Sequence, residues 1–114
     1  MKKQKTEIFV RIWINKHGKP FLGDGRIELL QMIKKRGSIR SAAHELKMSY
    51  KKAWGLVDSM NNQAIQPLVQ MKTGGKSGGG AVLTKYGESI VQQYSKLQNS
   101  LQKRANQFIN SFEL

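Results

Sequence analysis

The sequence predicts an α+β fold, a winged helix-turn-helix with an N-terminal hairpin and a long C-terminal dimerisation helix. Three observations predict it: an alternating segment near the start, two short amphipathic patterns around a tight connection, and a glycine-rich loop between two apolar runs. With 114 residues, of which 39% are hydrophobic, the chain can form one domain with a modest core. We expect three parts within it: an N-terminal hairpin (1–23), a helix-turn-helix with its wing (24–83) and a dimerisation helix (84–114).

The N-terminal segment EIFVRIWIN, residues 7–15, alternates strictly. Ile8, Val10, Ile12 and Ile14 fall on one face. Alternation with β-branched residues predicts a half-buried strand over the whole segment. The stretch NKHGKP then predicts a turn, and the next residues predict a short second strand that completes a hairpin.

The segment GDGRIELLQMIKKRG predicts the first helix. Asp24 is its expected N-cap, and Gly37 is its expected end because glycine readily adopts the left-handed conformation. The three cations before Gly37 suit the negative end of the helix dipole. We expect this helix to bury an apolar stripe formed by Ile27, Leu29, Leu30 and Ile33.

Two short helices follow, with Ser38 and Ser49 as expected N-caps. Alanines on the first helix allow a close crossing, so the pair has the pattern of a helix-turn-helix. The expected inward residues are Ile39, Ala42, Ala43 and Leu46 on the first helix and Ala53, Trp54, Val57 and Met60 on the second. The alternative is a helical hairpin that builds part of the core and binds no DNA.

In a helix-turn-helix, the second helix enters the major groove of DNA with its N-terminal end first. Lysine side chains at that end can contact phosphates or guanine acceptors, and hydroxyl groups can contact phosphate or sugar. The DNA contacts expected from these two helices are Arg40, Ser41, Ser49, Tyr50, Lys51, Lys52 and Gly55.

The runs QPLVQMKT and AVLT suit two strands, and the loop GGKSGGG between them predicts a wing tip. Glycines there would let backbone N–H groups approach phosphates. The loop is a poor nucleotide-binding motif, because Gln70 stands where that motif requires its first glycine. A hairpin tip without a ligand remains the alternative. The expected contacts of the wing with DNA are Lys72, Gly75, Lys76, Ser77 and Gly79.

The charge predicts an anionic partner. Twenty Lys and Arg against seven Asp and Glu give a net charge of +13, and no acidic residue lies between Asp58 and Glu88. Nucleic acid is favoured over a membrane surface, because no apolar run approaches the roughly 18 residues of a membrane span and no basic helix has an aromatic face. The start MKKQKTEIFV is a poor signal peptide, so we expect a cytoplasmic protein.

Catalysis and cofactors are not expected. The chain has no cysteine, and His17 and His44 are too few and too far apart for a metal site. His44 and Glu45 are neighbours on one short helix and point about 100° apart, which is poor geometry for an acid–base pair, and Glu28 and Asp58 are the other acids nearby. We therefore expect no enzyme activity, no metal, no cofactor and no small-molecule effector.

The last helix is expected over residues 85–112, with Thr84 as its N-cap. Its apolar residues recur about every 3.67 positions, close to the natural helix period. Because the helix is long for so small a domain, we expect its far end to pack on a second copy. The expected interface residues are Ile90, Tyr94, Leu97, Leu101, Phe108 and Phe112.

The motifs GRIELL, GSIRSAAHEL, SYKKAW and above all TGGKSGGGAVLTKYGE make the segment 25–97 resemble the N-terminal DNA-binding domain of molybdate-responsive, ModE-type transcriptional regulators. The resemblance implies sequence-specific binding of double-stranded DNA as a dimer, with helix 49–60 as recognition helix, the glycine loop as wing tip, and the first strand and last helix as pairing elements.

The family continues into an oxyanion-binding region, whereas this sequence ends at Leu114. We therefore expect a form without that region, and the resemblance does not carry molybdate sensing onto this chain. Two other functions stay open at this point. One is an architectural module that binds nucleic acid without sequence choice or recruits a protein. The other is an RNA-binding module, which is weaker because no platform of exposed paired aromatic residues is evident.

Overall fold

The computed structural model describes residues 6–73 and 79–114, and these contain four strands and four helices. Their order is β1 (Ile14–Lys16), β2 (Lys19–Leu22), α1 (Asp24–Arg36), α2 (Ile39–Glu45), α3 (Tyr50–Gln63), β3 (Val69–Lys72), β4 (Gly80–Leu83) and α4 (Lys85–Ile109). The pair α2–α3, followed by the antiparallel strands β3 and β4, gives a winged helix-turn-helix, which confirms the predicted fold.

The N-terminal hairpin closes through a two-residue turn. Strands β1 and β2 are antiparallel, with Lys16 opposite Lys19. Between them, His17 and Gly18 both have positive φ angles, of 52° and 75°. Two successive positive φ values are the requirement of a type I′ turn, which matches the twist of the flanking strands. The predicted hairpin is therefore present.

The first strand is shorter than the sequence predicts. The alternation of burial holds from residue 7 onward, with Ile8, Val10 and Ile12 half-buried, but residues 7–13 are not a strand. Among the described residues, this segment has no neighbouring strand, and side chains of α4 bind its backbone instead. The prediction of a strand over 7–15 was therefore right about the buried face and wrong about the pairing.

Helix α1 begins without the predicted cap. Its N-cap residue is Gly23, and Asp24 is the first helical residue. A Cβ atom at position 23 would lie 3.3 Å from the Trp13 ring, so a residue with a capping side chain does not fit there without displacing the ring. Gly37 ends the helix with a φ of 80°, and its N–H donates to the Ile33 carbonyl, which confirms the predicted stop.

The other three helices begin as the sequence predicts. The hydroxyl oxygen of Ser38 accepts a hydrogen bond from an N–H of α2, and that of Ser49 from an N–H of α3, both at 3.0 Å. Thr84 caps α4 in the same way, at 2.9 Å. Each cap satisfies one of the backbone N–H groups that a helix start leaves without a partner.

Helix α1 forms the centre of the core. Its Leu29, Leu30 and Ile33 are fully buried, and the helix is packed by α2, β4 and α4. Met60 of α3 and Leu68 just before the wing are also fully buried. The core therefore joins every helix to the wing, and this fixes where the exposed faces of α2 and α3 point.

Helix α4 packs on this core with its first half and extends beyond it with its second half. At its start, Gly87 lies against the backbone of Leu68, so closely that an added Cβ would fall 2.2 Å from the Leu68 carbonyl oxygen. About two turns later Tyr94 still reaches Asp24 of α1, but the second half of the helix carries exposed apolar residues. The 25 residues end at Ile109 rather than at the predicted 112 and span roughly 37 Å.

Candidate nucleic-acid interface

Helix α3 presents an exposed lysine-bearing start. The predicted inward residues Ala53, Val57 and Met60 are buried, with exposed fractions of 0–1%. Lys51 and Lys52 lie on the first turn and are exposed, so their ammonium groups are available to an anion. The burial pattern of α3 is therefore that of a helix with one packed face and one free face.

Trp54 is an exception to the predicted pattern. The sequence predicts that it turns inward, but 45% of its surface is exposed, so that prediction was wrong. At 100° per residue, it lies on the flank of α3 rather than on the buried face that is centred on Ala53 and Val57. Met71 on β3 is also exposed, by 46%, and lines the same crevice as Trp54.

The connection between α2 and α3 is tight. Lys47 has a φ of 58°, a left-handed conformation that reverses the chain within a few residues. The N–H of Met48 donates to the Ala43 carbonyl at 3.0 Å, which closes the turn over the end of α2. Ala42, Ala43 and Ala53 are almost fully buried, so the two helices approach through side chains of minimal size. This is the helix-turn-helix geometry that the alanines predict.

Side chains of α2 and α3 also meet on the exposed side. The guanidinium of Arg40 lies over the Tyr50 ring, 4.4 Å from its centre. This cation–π contact holds the charge of Arg40 beside the start of α3, while the edge of the guanidinium still offers N–H donors. Arg36, in contrast, is paired with Glu45 at 2.9 Å.

The wing is fastened to both of its neighbouring helices. The side-chain oxygen of Asn61 on α3 accepts from the N–H groups of Leu68 and Val69, and its amide donates to the Val69 carbonyl. On the other side, the N–H of Ala81 donates to the carbonyl of Gly37 at 2.9 Å. These bonds fix strands β3 and β4 relative to α3, so the two elements can bind one ligand together.

Two glycines beside the wing tip have no room for a side chain. A Cβ at Gly80 would lie 2.8 Å from the Gly37 carbonyl oxygen, and a Cβ at Gly79 would lie 2.8 Å from the carbonyl oxygen of Lys72. The predicted contacts Gly75, Lys76 and Ser77 lie outside the described residues. Lys72 and Gly79 flank that tip, and both line the crevice between the wing and the helices.

That crevice has a volume of about 710 Å³ and opens between the start of α2, the first turns of α3 and the wing. It brings together many of the predicted contact residues, namely Arg40, Ser41, Tyr50, Lys72 and Gly79. Lys51, Lys52, Ser49 and Gly55 lie outside its lining, and they are exposed on the neighbouring part of α3. An added Cβ at Gly55 would meet nothing within 4 Å, so this point of α3 is open to a close approach. We call the set Arg40, Lys51, Lys52 and Lys72 the basic face.

Three of the seven carboxylates form ion pairs in the described chain, each with a cation that is not part of the basic face. Glu45 pairs with Arg36, Glu88 pairs with Lys34, and Asp24 lies 4.0 Å from Arg11. Among the described residues, no salt bridge involves Lys51, Lys52 or Lys72. Their charge is therefore not neutralised within the described chain, which is what binding to a polyanion requires.

A separate surface lies on α4. Leu97, Leu101 and Phe108 fall on one stripe of the helix and are 39–53% exposed, and Phe112 just beyond the helix is 56% exposed. We call these four residues the α4 face. Ile90 is half-buried against the core, whereas Tyr94 is only 3% exposed and belongs to the core of its own chain. Tyr94 is therefore left out of the α4 face.

The hydroxyl of Tyr94 joins three parts of the chain. It lies 2.8 Å from Oδ1 of Asp24 and 3.0 Å from the carbonyl oxygen of Ile12. Burial, with the hydrogen bond to Asp24, raises the pKa of Tyr94 to about 12. The sequence pattern marked Tyr94 as apolar helix surface, and it gave no signal for this polar role.

Side chains of α4 hold the extended N-terminal segment. The side-chain oxygen of Gln102 accepts from the Val10 N–H at 2.9 Å, and its amide donates to the Ile8 carbonyl at 2.7 Å. Gln98 donates to the Val10 carbonyl at 3.2 Å. These glutamines take the place of a neighbouring strand, because they satisfy backbone groups that would otherwise pair across a sheet.

Other candidate chemistry finds little support among the described residues. No group of three or more His, Asp or Glu side chains there is placed to hold a metal ion. In the same residues, none of the helices combines the length and apolar character needed to cross a bilayer. Of the acids considered for catalysis, Glu45 is held by Arg36, and Asp58 accepts from Asn62.

No protein-family model matches the chain, but curated proteins do. "Molybdenum transport protein ModE" of Azotobacter vinelandii is 49% identical over 77 residues, which is 68% of this chain and 28% of that protein. "Transcriptional regulator ModE" of Haemophilus influenzae is 39% identical over 97 residues, 85% of this chain and 37% of the regulator.

"DNA-binding transcriptional dual regulator ModE" of Escherichia coli is 45% identical over 85 residues, 75% of this chain and 32% of that regulator. The chain thus spans about a third of the length of the curated relatives it matches. The resemblance that the motifs predict is confirmed: over most of its own length, this chain is a homologue of the ModE-type regulators, corresponding to a part of each.

Proposed function

We propose that this domain binds double-stranded DNA with sequence preference and thereby regulates transcription. The observation that carries the proposal is the basic face: Arg40 of α2 and Lys72 of β3 line one crevice, and the exposed lysines at the start of α3 lie on the helix that borders it. In such a fold, α3 enters the major groove and the wing follows the adjacent backbone. Relatives named as transcriptional regulators support the same role. We propose that this role is not enzymatic and that the protein acts in the cytoplasm.

We further propose that two copies bind together. The α4 face exposes four large apolar side chains in water, and Phe9 on the N-terminal segment is 79% exposed. Several large apolar side chains exposed along one stripe of a helix favour an interaction site. Paired copies would place two recognition helices about 34 Å apart, one turn of DNA, on a roughly palindromic site.

Selection from a pool of random duplex DNA tests the first proposal. The selected fragment should bind at least about 1,000-fold more tightly than bulk DNA, because specific sites exceed non-specific ones by that factor or more. A ratio near one would instead support the architectural module. A single-stranded or double-stranded RNA of the same sequence should compete no better than bulk DNA.

Sedimentation tests the pairing of copies. Wild-type chain should sediment with twice the mass of one chain, and Leu101→Glu should restore the single mass because it places a charge in the apolar contact. Lys103→Glu, also exposed on α4, is the matched control and should stay paired. A wild-type chain with the single mass at concentrations that saturate DNA would contradict the proposal.

A further inference from the structure

We propose that Trp54, with Met71 beside it, contacts the C5-methyl group of a thymine in the major groove and so sets part of the sequence preference. The inference rests on the proposed function and deepens it, because it names a base and the side chain that reads it. Its starting point is the exposure of two large apolar side chains, 45% and 46%, in the middle of a basic surface.

The residues around Trp54 indicate which class of ligand the crevice would bind. Arg40 and Lys72 line the same crevice, and the described part of that crevice contains no acidic side chain. This charge favours a nucleic acid strand. On the edges of the base pairs that face the major groove, the thymine methyl is the apolar group, and apolar side chains recognise it by direct contact.

The position of Trp54 on α3 agrees with such a contact. With Ala53, Val57 and Met60 buried, the helix period points Lys51 and Gly55 directly away from the core. Trp54 lies on the flank that faces the wing, whereas Lys52 lies on the opposite flank, against a different groove lined by Arg11 and Trp13. A helix in the major groove thus offers an indole to one wall of the groove and an ammonium group to the other.

A purely structural role for Trp54 does not explain its exposure. The core of the domain is formed by other residues, and the buried positions of α3 are already filled by Ala53, Val57 and Met60. The Trp54→Ala variant should therefore fold with little change in thermal stability. The Trp54→Phe variant keeps an apolar ring and serves as the second variant.

The experiment uses a duplex that the wild-type chain selects from a random pool, together with copies in which single thymines are replaced by uracil. The replacement removes one methyl group and leaves the hydrogen-bonding pattern unchanged. We expect one position at which wild-type affinity falls about fourfold, the equivalent of about 0.8 kcal/mol for one buried methyl group. The Trp54→Ala variant should bind more weakly and lose the sensitivity to uracil at that position, and Trp54→Phe should keep most of it.

Three results would overturn the inference: uracil without effect at every position, a Trp54→Ala variant that keeps the full sensitivity, or selected duplexes without a shared thymine. In each of these cases, strong preference for the selected duplex over bulk DNA would leave the proposed function intact. Loss of that preference in the wild-type chain would overturn the proposed function itself.

Discussion

The basic face and the α4 face lie on the same core but differ in how their side chains are held. On the basic face, a cation–π contact, an asparagine and close-packed alanines fix every element around the crevice, and charge is left exposed. Around α4, glutamine side chains hold an extended segment, and apolar surface is left exposed. The difference agrees with the two proposed partners of opposite character, a polyanion for the first face and an apolar surface for the second.

The largest expected effect is a loss of DNA affinity when lysines are removed from the basic face but not when they are removed from α4. Replacing both Lys51 and Lys52 by alanine should lower the affinity for a selected duplex at least about thirtyfold, because each contact contributes ~1–3 kcal/mol. The matched control replaces Lys96 and Lys103 on α4 by alanine, and it should change the affinity for the same duplex less than about threefold. Equal losses in the two double variants would remove the distinction between the faces.

The contact between Gly87 at the start of α4 and Leu68 before the wing should not tolerate an added methyl group without a loss of stability. Gly87→Ala forces a Cβ against the Leu68 carbonyl oxygen and should lower the free energy of unfolding by ~1–3 kcal/mol. Gly25→Ala, on the exposed side of α1 where nothing lies within 4 Å, is the control and should be neutral or stabilising. Denaturant unfolding measures both, and an unchanged Gly87→Ala midpoint would show that α4 is not packed as described.

Tyr94 should make stability depend on alkaline pH. Its pKa is raised from the ordinary 10 to about 12, so the unfolded chain loses this proton first and stability falls between pH 10 and 12. Tyr94→Phe should remove this part of the fall and cost ~1–3 kcal/mol at neutral pH, because Asp24 and the Ile12 carbonyl lose a donor. Parallel pH profiles of the two proteins would contradict the assignment.

A smaller effect should appear in the N-terminal segment. Gln102→Ala removes the acceptor of the Val10 N–H, so this amide should exchange with solvent faster while unfolding free energy falls by ~0.5–1.5 kcal/mol. The matched control is Gln92→Ala, an exposed glutamine of the same helix, which should leave exchange at Val10 unchanged. Protection of Val10 that survives Gln102→Ala would indicate that another group binds this backbone.

Local signals in the sequence predicted most of the fold. The caps Ser38, Ser49 and Thr84 and the stop at Gly37 were all confirmed, because each depends on one side chain and a few neighbouring backbone groups. The strand over 7–15 and the cap at Asp24 were wrong for the opposite reason. In both cases a residue outside the element matters: Gln102 binds the segment, and the Trp13 ring leaves only a tight space, 3.3 Å, for a Cβ atom at the actual N-cap position 23.

The candidate site was predictable in part. Charge and spacing identified Arg40, Lys51, Lys52 and Lys72, and the structure brings Arg40 and Lys72 to one crevice. Trp54 was assigned to the core because a large apolar residue beside Ala53 fits a helical stripe. The helical period places Trp54 on the flank of α3, 100° from Ala53. Whether a side chain on that flank is buried depends on how closely α2 and the wing approach α3, and the period does not contain that information.

The salt dependence of DNA affinity tests the central claim most directly. Two copies of the basic face supply eight cations, so the logarithm of the affinity should fall with the logarithm of the salt concentration with a slope of about −7 if all eight contact phosphate. Replacing Lys72 by alanine should reduce the steepness by about 2 per pair of copies. A flat dependence, or an unchanged slope after removal of Lys72, would contradict the assignment of this surface to DNA.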